Sequence, residues 1–400
     1  MFYIIIVGLS EFVKVHFNKR RGILKKERNS NIELLRIFAM LMIIAYHIFI
    51  HCVNGQLNTK SFNTPYIYKK LLILVTIAPM GTIGNVIFMI ISGFFMVEKV
   101  TNIDISKISK KLLLQQGFAA IFLTVVSTVI FKLNTNDSSY FNLMDINIFN
   151  SMSWYIGYYF SIIMFAKLLL NNFLSKLNKS NYTRFLLGIF ALIEFQWSSY
   201  TFLYSFSGGL LVFVTGVFLF SLGGYIKKYN PFANIRTFGL LLILIVELIL
   251  INISFYNITE NNLQNYYANG GTGTFTQSIR VYDNNSIIPI ISGIVIFELF
   301  RRINIHSSKI INFLGSSTLM VYLAHDVGLI HSIWNTQDWI TLLYYSPIKY
   351  MGKHALWTIL TFVSGVMVHV LYLILMKFFK KISWIFIKKS SEVPNDTQLT

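Results

Sequence analysis

Ten apolar runs of about 20 residues divide this chain, and each is long enough to cross the roughly 30 Å hydrocarbon layer of a membrane. Hydrophobic residues make up 54% of its 400 residues and charged residues only 12%, about half the usual share of a soluble domain. The sequence therefore predicts an all-α integral membrane protein with about ten transmembrane helices. The runs are 32–53, 79–97, 112–131, 148–170, 185–204, 208–226, 237–256, 286–300, 310–333 and 354–376.

The basic residues alternate between the two sides of the predicted membrane. Of 34 lysines and arginines, 25 fall at the two ends and in alternate connections, and seven fall in the opposite connections. Basic connections stay in the cytoplasm, so both termini are predicted to be cytoplasmic. Topology also accounts for the net charge of +18, and no nucleic-acid partner is expected.

Three segments follow from this pattern. Residues 1–31 form a basic cytoplasmic arm, which is either amphipathic and bound to anionic lipid or an unstructured tail. Residues 32–376 form the transmembrane domain, and 377–400 form a basic cytoplasmic tail. The connection 257–285 is predicted to be extracytoplasmic and flexible. A single cysteine excludes a disulfide framework, and without a recognisable ligand spacing no metal is expected.

The first apolar run carries ionisable residues, which are costly inside a membrane and often functional. Arg36 and His47 are 11 residues apart, which places them about 20° from the same helix face and roughly 16 Å apart along it. His51 follows one turn later on the same side. The alternative interpretation is an arginine that anchors the helix end and a histidine satisfied within the core.

Polar residues in three other runs lie at a depth similar to that of His47. They are Asn85, Trp154 and His325, which could share one layer in the outer half of the membrane with His47 and His51. Each has a structural alternative. Asn85 could bond a neighbouring helix, Trp154 could belong to an aromatic belt, and His325 with Asp326 could lie at the membrane interface.

Basic residues also gather at the predicted cytoplasmic face. Lys107, Lys110 and Lys111 precede the third run, and with Arg36 they would form an inner mouth suited to phosphate groups. Plain membrane topology is the alternative explanation for each lysine. Glu247 lies near the middle of the seventh run and could belong either to an ion path or to a buried pair.

Several short motifs, in order along the chain, resemble those of the membrane acyltransferase type 3 family. The first combines Glu33-Leu-Leu-Arg36 with His47, and the second is the segment 88–95, which contains Ser-Gly-Phe. Lysines stand where the family usually has arginine before the third span. Ser153-Trp154-Tyr155 resembles the fourth-span motif, and 315–325, ending in Tyr-Leu-Ala-His, resembles the late-span motif.

The resemblance implies a multi-pass enzyme of the bacterial plasma membrane that acylates a cell-surface or lipid-linked saccharide. The acyl donor would be acyl-CoA, with acetyl-CoA expected, and no bound cofactor is implied. His47 would be the general base, and Arg36 with the three lysines would bind the donor. Asn85, Trp154, His325 and His51 would contact the acceptor or the oxyanion. A transporter or flippase for a lipid-linked saccharide or a small anion is the alternative.

Overall fold

A computed structural model describes residues 29–59, 68–100, 103–130, 154–195, 204–270, 279, 282–283 and 285–391. Within these ranges the regular structure is entirely helical. The helices are α1 (Ser30–Ile48), α2 (Tyr68–Ile77), α3 (Met80–Met96), α4 (Ile105–Val125), α5 (Trp154–Phe165), α6 (Lys179–Phe195), α7 (Tyr204–Tyr229), α8 (Thr237–Ala268), α9 (Ile287–Arg302), α10 (Lys309–His325), α11 (Gly328–Asn335), α12 (Trp339–Tyr345) and α13 (Pro347–Ser391).

Three of these helices continue through a π-helical turn. The turn Phe49–Val53 joins α1 to the short helix Asn54–Thr59, and Ala166–Leu170 joins α5 to Asn171–Lys176. The turn Val126–Ile130 extends α4. Single π turns occur frequently at functional sites, and the one after α1 contains His51.

The described residues contain seven helices long and apolar enough to span a membrane, or eight if one bent pair is counted. This is a multi-pass membrane protein, but the count is smaller than the predicted ten. The fifth and eighth predicted runs account for the shortfall. Helix α9 has 16 residues, which is short for a helix that crosses the hydrocarbon layer, and the described part of α6 has 17 residues and reaches the edge of a described range at residue 195.

Two breaks shape the spans. Residues 69–96 form a single 28-residue candidate span, although Pro79 separates α2 from α3, so that candidate span includes the apolar stretch before Pro79. Helices α10 and α11 bend by 78° where Asp326 and Val327 leave helical geometry. This bend places Asp326 at a helix end inside the protein.

Helix α3 lies at the centre of the bundle and packs against α1, α7 and α9. Two glycines permit its close contact with α7. A Cβ atom at Gly93 would come 2.6 Å from the carbonyl carbon of Phe220, and one at Gly223 would come 2.8 Å from the amide nitrogen of Phe94. Small residues let transmembrane helix backbones approach in this way.

Several predicted features fall outside the described residues. They include the arm before residue 29, the tail after residue 391 and most of the extracytoplasmic connection that follows Gly270. The predicted beginning of the fourth run and the predicted end of the fifth also lie outside them.

Candidate active site

A mostly apolar cavity of about 310 Å³ opens between α1, α3, α4, α5 and α10. Arg36 and Lys111 line it together with aliphatic and aromatic side chains. Such a lining offers cations to anionic groups and room to a flexible apolar chain. We call it the first cavity. Its other lining residues include Phe88, Ile108, Tyr155, Tyr159 and Leu319.

The guanidinium of Arg36 is held in place at this cavity by a carboxylate. Its Nη1 atom donates to both oxygens of Glu33, at 3.1 and 3.3 Å. Helix α10 packs closely on the same turn of α1, because a Cβ atom at Gly315 would lie 2.8 Å from the Cβ atom of Glu33. The close contact depends on glycine at 315 and leaves the Arg36 side chain only partly exposed, at 28%.

A second cavity of about 330 Å³ lies farther along α1. It is lined by His47 and His51 and by a mixture of aromatic and polar side chains. The hydroxyl of Thr82 donates to the backbone carbonyl of Tyr282 at 2.7 Å, which holds the segment 282–283 against the cavity. The remaining lining residues are Ile43, Tyr46, Ile50, Gly81, Asn85, Trp154, Asp283 and Tyr322.

The two cavities adjoin. Ile43, Asn85 and Tyr322 line both of them, so these side chains form the junction. Helix α1 passes both cavities and presents Arg36 to the first and His47 to the second.

His47 and His325 form a pair. The Nδ1 atom of His47 lies 2.7 Å from the Nε2 atom of His325, and the two nearly parallel rings have centroids 4.8 Å apart. On its other edge, the Nδ1 atom of His325 lies 2.7 Å from the backbone carbonyl oxygen of Tyr322. His325 is buried, at 1% exposure, and lines neither cavity.

The carboxylate of Asp326, at the bend after α10, lies close to three imidazoles. Asp326 lies 2.9 Å from Nε2 of His331, 3.2 Å from Nε2 of His51 and 3.7 Å from Nδ1 of His47. The rings of His51 and His331 stack with centroids 4.1 Å apart. One carboxylate thus links α1, the π turn after it and α11.

Comparison with known proteins identifies the family of this chain. A family model described as an acyltransferase domain matches residues 29–376. The chain belongs to the acyltransferase type 3 family. The family predicted from the sequence motifs is thereby confirmed, and it supports acyl transfer rather than the transporter alternative. No curated protein and no solved structure matches the chain.

Most of the predicted site residues of this acyltransferase meet at the two cavities. Arg36 and Lys111 line the first cavity, Asn85 lines both, and His325 stands behind His47. The predicted layer of His47, Asn85, Trp154 and His325 therefore corresponds to the second cavity and its wall. The second cavity is lined by His47, His51, Asn85 and Trp154.

Two of the predicted donor-binding lysines lie elsewhere. Lys107 and Lys110 are exposed and line neither cavity. Helix α4 begins at Ile105, and the Asp104 side chain caps it by accepting from the backbone N–H of Lys107 at 2.9 Å. Lys107 therefore belongs to the first turn of the helix, one turn before Lys111, and the cationic lining comes from Arg36 and Lys111.

Two polar residues beside the second cavity were not predicted as site residues. Asp326 was expected only as an interfacial neighbour of His325, and His331 was not singled out. Their signal in the sequence is an aspartate directly after a histidine at the end of an apolar helix, followed five residues later by another histidine. The pattern becomes specific only with the bend that turns His331 back toward Asp326.

Glu247 contributes to packing rather than to either cavity. It is buried in α8 and accepts a hydrogen bond from the hydroxyl of Ser292 in α9, at 2.6 Å. Of the two predicted roles, this contact matches the buried pair. The side chain lines neither cavity.

His47, His51 and Asp326 also have the composition of a metal site, because one ligand atom from each lies within 4.8 Å of the others. Two imidazoles and a carboxylate are typical ligands of zinc. The His47 nitrogen that faces Asp326 is Nδ1, the same atom that contacts His325. A cation bound there would have to displace His325, so the geometry favours the histidine pair.

Proposed function

We propose that this acyltransferase moves an acyl group, with acetyl expected, from acyl-CoA to a hydroxyl of a cell-surface or lipid-linked saccharide. The observation that carries the proposal is the junction of the two cavities at Asn85 and Tyr322. One cavity offers cations and apolar walls, and the other offers an imidazole and polar groups. A donor and an acceptor can therefore meet without sharing a binding site.

The first cavity suits the donor. Coenzyme A carries phosphates at one end of a long flexible arm and the thioester at the other. Arg36 and Lys111 would hold the phosphates through charge-assisted hydrogen bonds, and the apolar walls would enclose the arm. The thioester would then reach the junction at Asn85. Lys107 and Lys110 would add only long-range attraction from the surface.

The second cavity suits a sugar. Trp154, Tyr46 and Tyr282 offer aromatic surfaces, and Thr82 and Asp283 offer hydrogen-bonding groups. Aromatic faces combined with a few fixed polar groups are typical of sites that orient a small polar ligand. His47 lines the same cavity, so a sugar hydroxyl bound there would lie within reach of its imidazole.

The chemistry then balances without a cofactor. The free imidazole nitrogen of His47 takes the proton as the acceptor oxygen attacks the thioester carbonyl carbon. A carbon–oxygen bond forms and the carbon–sulfur bond breaks, and His47 returns the proton to the departing thiolate. The Asn85 amide, at the junction, would stabilise the oxyanion, and Asp326 would stabilise the transient imidazolium.

The distribution of basic residues predicts which side of the membrane each cavity faces. With 25 lysines and arginines on the side predicted to be cytoplasmic, the first cavity would open toward cytoplasmic acyl-CoA and the second toward the cell exterior. The enzyme would thus carry acyl groups across a bacterial plasma membrane to an extracytoplasmic saccharide.

Mass spectrometry of surface glycans from cells with and without the gene tests the proposal. Cells lacking the gene should lose one acyl mass per repeat, and wild-type protein should restore it. His47→Ala at equal membrane abundance should not restore it, whereas His306→Ala, at an exposed position, should. Acylation by the His47→Ala variant within tenfold of wild type contradicts the proposed base. Loss of the whole glycan rather than of the acyl mass would indicate a flippase.

A further inference from the structure

His325 is placed to act on His47 rather than on a substrate. It is buried and lines neither cavity, and its two ring nitrogens face the Tyr322 carbonyl and His47. Both contacts are 2.7 Å long, which is at the short end of the range for hydrogen bonds from nitrogen. A residue with both nitrogens engaged has no edge left to contact an acceptor sugar.

The end of α10 explains why one side of His325 is fixed. The last carbonyls of a helix lack an N–H partner from a following turn and are often satisfied by side chains. Helix α10 ends at His325, and the chain bends immediately afterwards. The Tyr322 carbonyl therefore accepts from the imidazole of His325, three residues later.

The direction of the hydrogen bonds follows from the carbonyl. A carbonyl oxygen only accepts, so the proton of His325 lies on Nδ1. In the neutral imidazole, which burial favours, Nε2 of His325 then carries a lone pair. The contact of that nitrogen with His47 requires His47 to donate from its Nδ1 atom. The remaining nitrogen of His47, Nε2, is thus left unprotonated.

We propose that His325 is a positioning residue that fixes His47 in the Nδ1–H tautomer and so leaves the Nε2 lone pair available for the acceptor hydroxyl. This inference rests on the proposed role of His47 as general base. It assigns His325 to the base rather than to the acceptor or the oxyanion. An imidazole held in the opposite tautomer would present an N–H to the hydroxyl and could not take its proton.

Two substitutions at His325 separate positioning from packing. In His325→Gln, the amide oxygen can accept from Nδ1 of His47 while the amide N–H donates to the Tyr322 carbonyl. In His325→Phe, the ring volume is kept and both hydrogen bonds are lost. We expect kcat to fall by about 100-fold or more in the Phe variant and by less than about tenfold in the Gln variant. KM for acetyl-CoA should stay within about twofold in both, because His325 does not line the first cavity.

The ¹⁵N NMR spectrum of the His47 imidazole provides a readout that does not depend on enzyme activity. The sample is protein with ¹⁵N-labelled histidine, reconstituted in lipid nanodiscs and studied by NMR. The His47 signal is identified by its loss in His47→Gln. In the wild-type protein it should show a protonated Nδ1 and an unprotonated Nε2. In His325→Phe, His47 should populate both tautomers. His369→Ala is the control, because His369 lines neither cavity, and it should leave the His47 tautomer unchanged.

Three results would overturn the inference: a protonated Nε2 in the wild-type enzyme, an unchanged kcat in His325→Phe, or equal losses in the Phe and Gln variants. A fully active His47→Ala variant would instead remove the proposed base itself. The nitrogen spectrum would still report whether His325 sets the tautomer, so the two failures remain distinguishable.

Discussion

The carboxylate of Asp326 lies 3.2 Å from Nε2 of His51, although 275 residues separate them in the chain. His51 belongs to the π turn after α1, and Asp326 belongs to the bend after α10. The same carboxylate accepts from His331 at 2.9 Å. A negative charge is therefore anchored from two helices at the edge of the second cavity, close to His47.

Asp326→Asn should lower kcat by about tenfold to 100-fold and leave KM for acetyl-CoA unchanged. Asparagine keeps the size and much of the hydrogen bonding but removes the charge that stabilises a transient imidazolium at His47. Thiol release from acetyl-CoA, recorded with the natural acceptor, measures both constants. Asp338→Asn is the matched control, because Asp338 caps α12 and asparagine caps a helix equally well. An equal loss of kcat in both variants would argue against a role for the Asp326 charge.

Arg36→Ala should raise the dissociation constant for acetyl-CoA by tenfold or more, since a charge-assisted hydrogen bond contributes about 1.5–3 kcal/mol. Lys111→Ala should weaken binding less, and Lys110→Ala, at an exposed position outside the cavity, should change it by less than about twofold. Calorimetry on purified protein measures all three.

The Arg36→Ala variant also removes the cation that Glu33 bonds. The double variant Arg36→Ala with Glu33→Gln removes the negative charge of Glu33 as well. Donor binding should remain weak in this double variant. Recovery to the wild-type constant would show that Arg36 serves only to neutralise Glu33.

Gly93→Ala should destabilise the protein, because the added methyl group would meet the backbone of Phe220 in α7. Overpacking of this kind typically costs about 1–3 kcal/mol. Thermal unfolding in detergent, followed by tryptophan fluorescence, should show a lower midpoint. Gly188→Ala is the control, since a Cβ atom there meets nothing within 4 Å, and its midpoint should stay level or rise. Equal midpoints for Gly93→Ala and wild type would contradict the close packing of α3 on α7.

Single cysteines in a Cys52→Ser background should test the orientation. Ser180 and Asn234 lie in connections predicted to be cytoplasmic, and Asn269 and Lys349 lie in connections predicted to be extracytoplasmic. All four are exposed. A membrane-impermeant maleimide added to intact cells should label only the cysteines at 269 and 349, and lysis should expose the other two. Labelling at 180 or 234 before lysis would reverse the orientation and with it the assignment of the two cavities.

Local periodicity was enough to predict what lies along one helix. The membrane class followed from the length of the apolar runs, and the motifs indicated the family that the family model confirmed. The shared face of Arg36 and His47 needs only 3.6 residues per turn, and the structure presents one to each of two adjoining cavities. The predicted number of spans is not reached within the described residues, because α9 is a 16-residue helix and only 17 residues of α6 are described.

Tertiary structure decided which helices meet and what their side chains do to one another. His325 was predicted from its depth and from the late-span motif, but its place behind His47 depends on the packing of α10 against α1 and on the end of α10 at that residue. Asp326 and His331 come together only because the chain bends by 78° between them. Periodicity fixes directions around one helix axis, whereas contacts between helices distant in sequence depend on packing that no local pattern encodes.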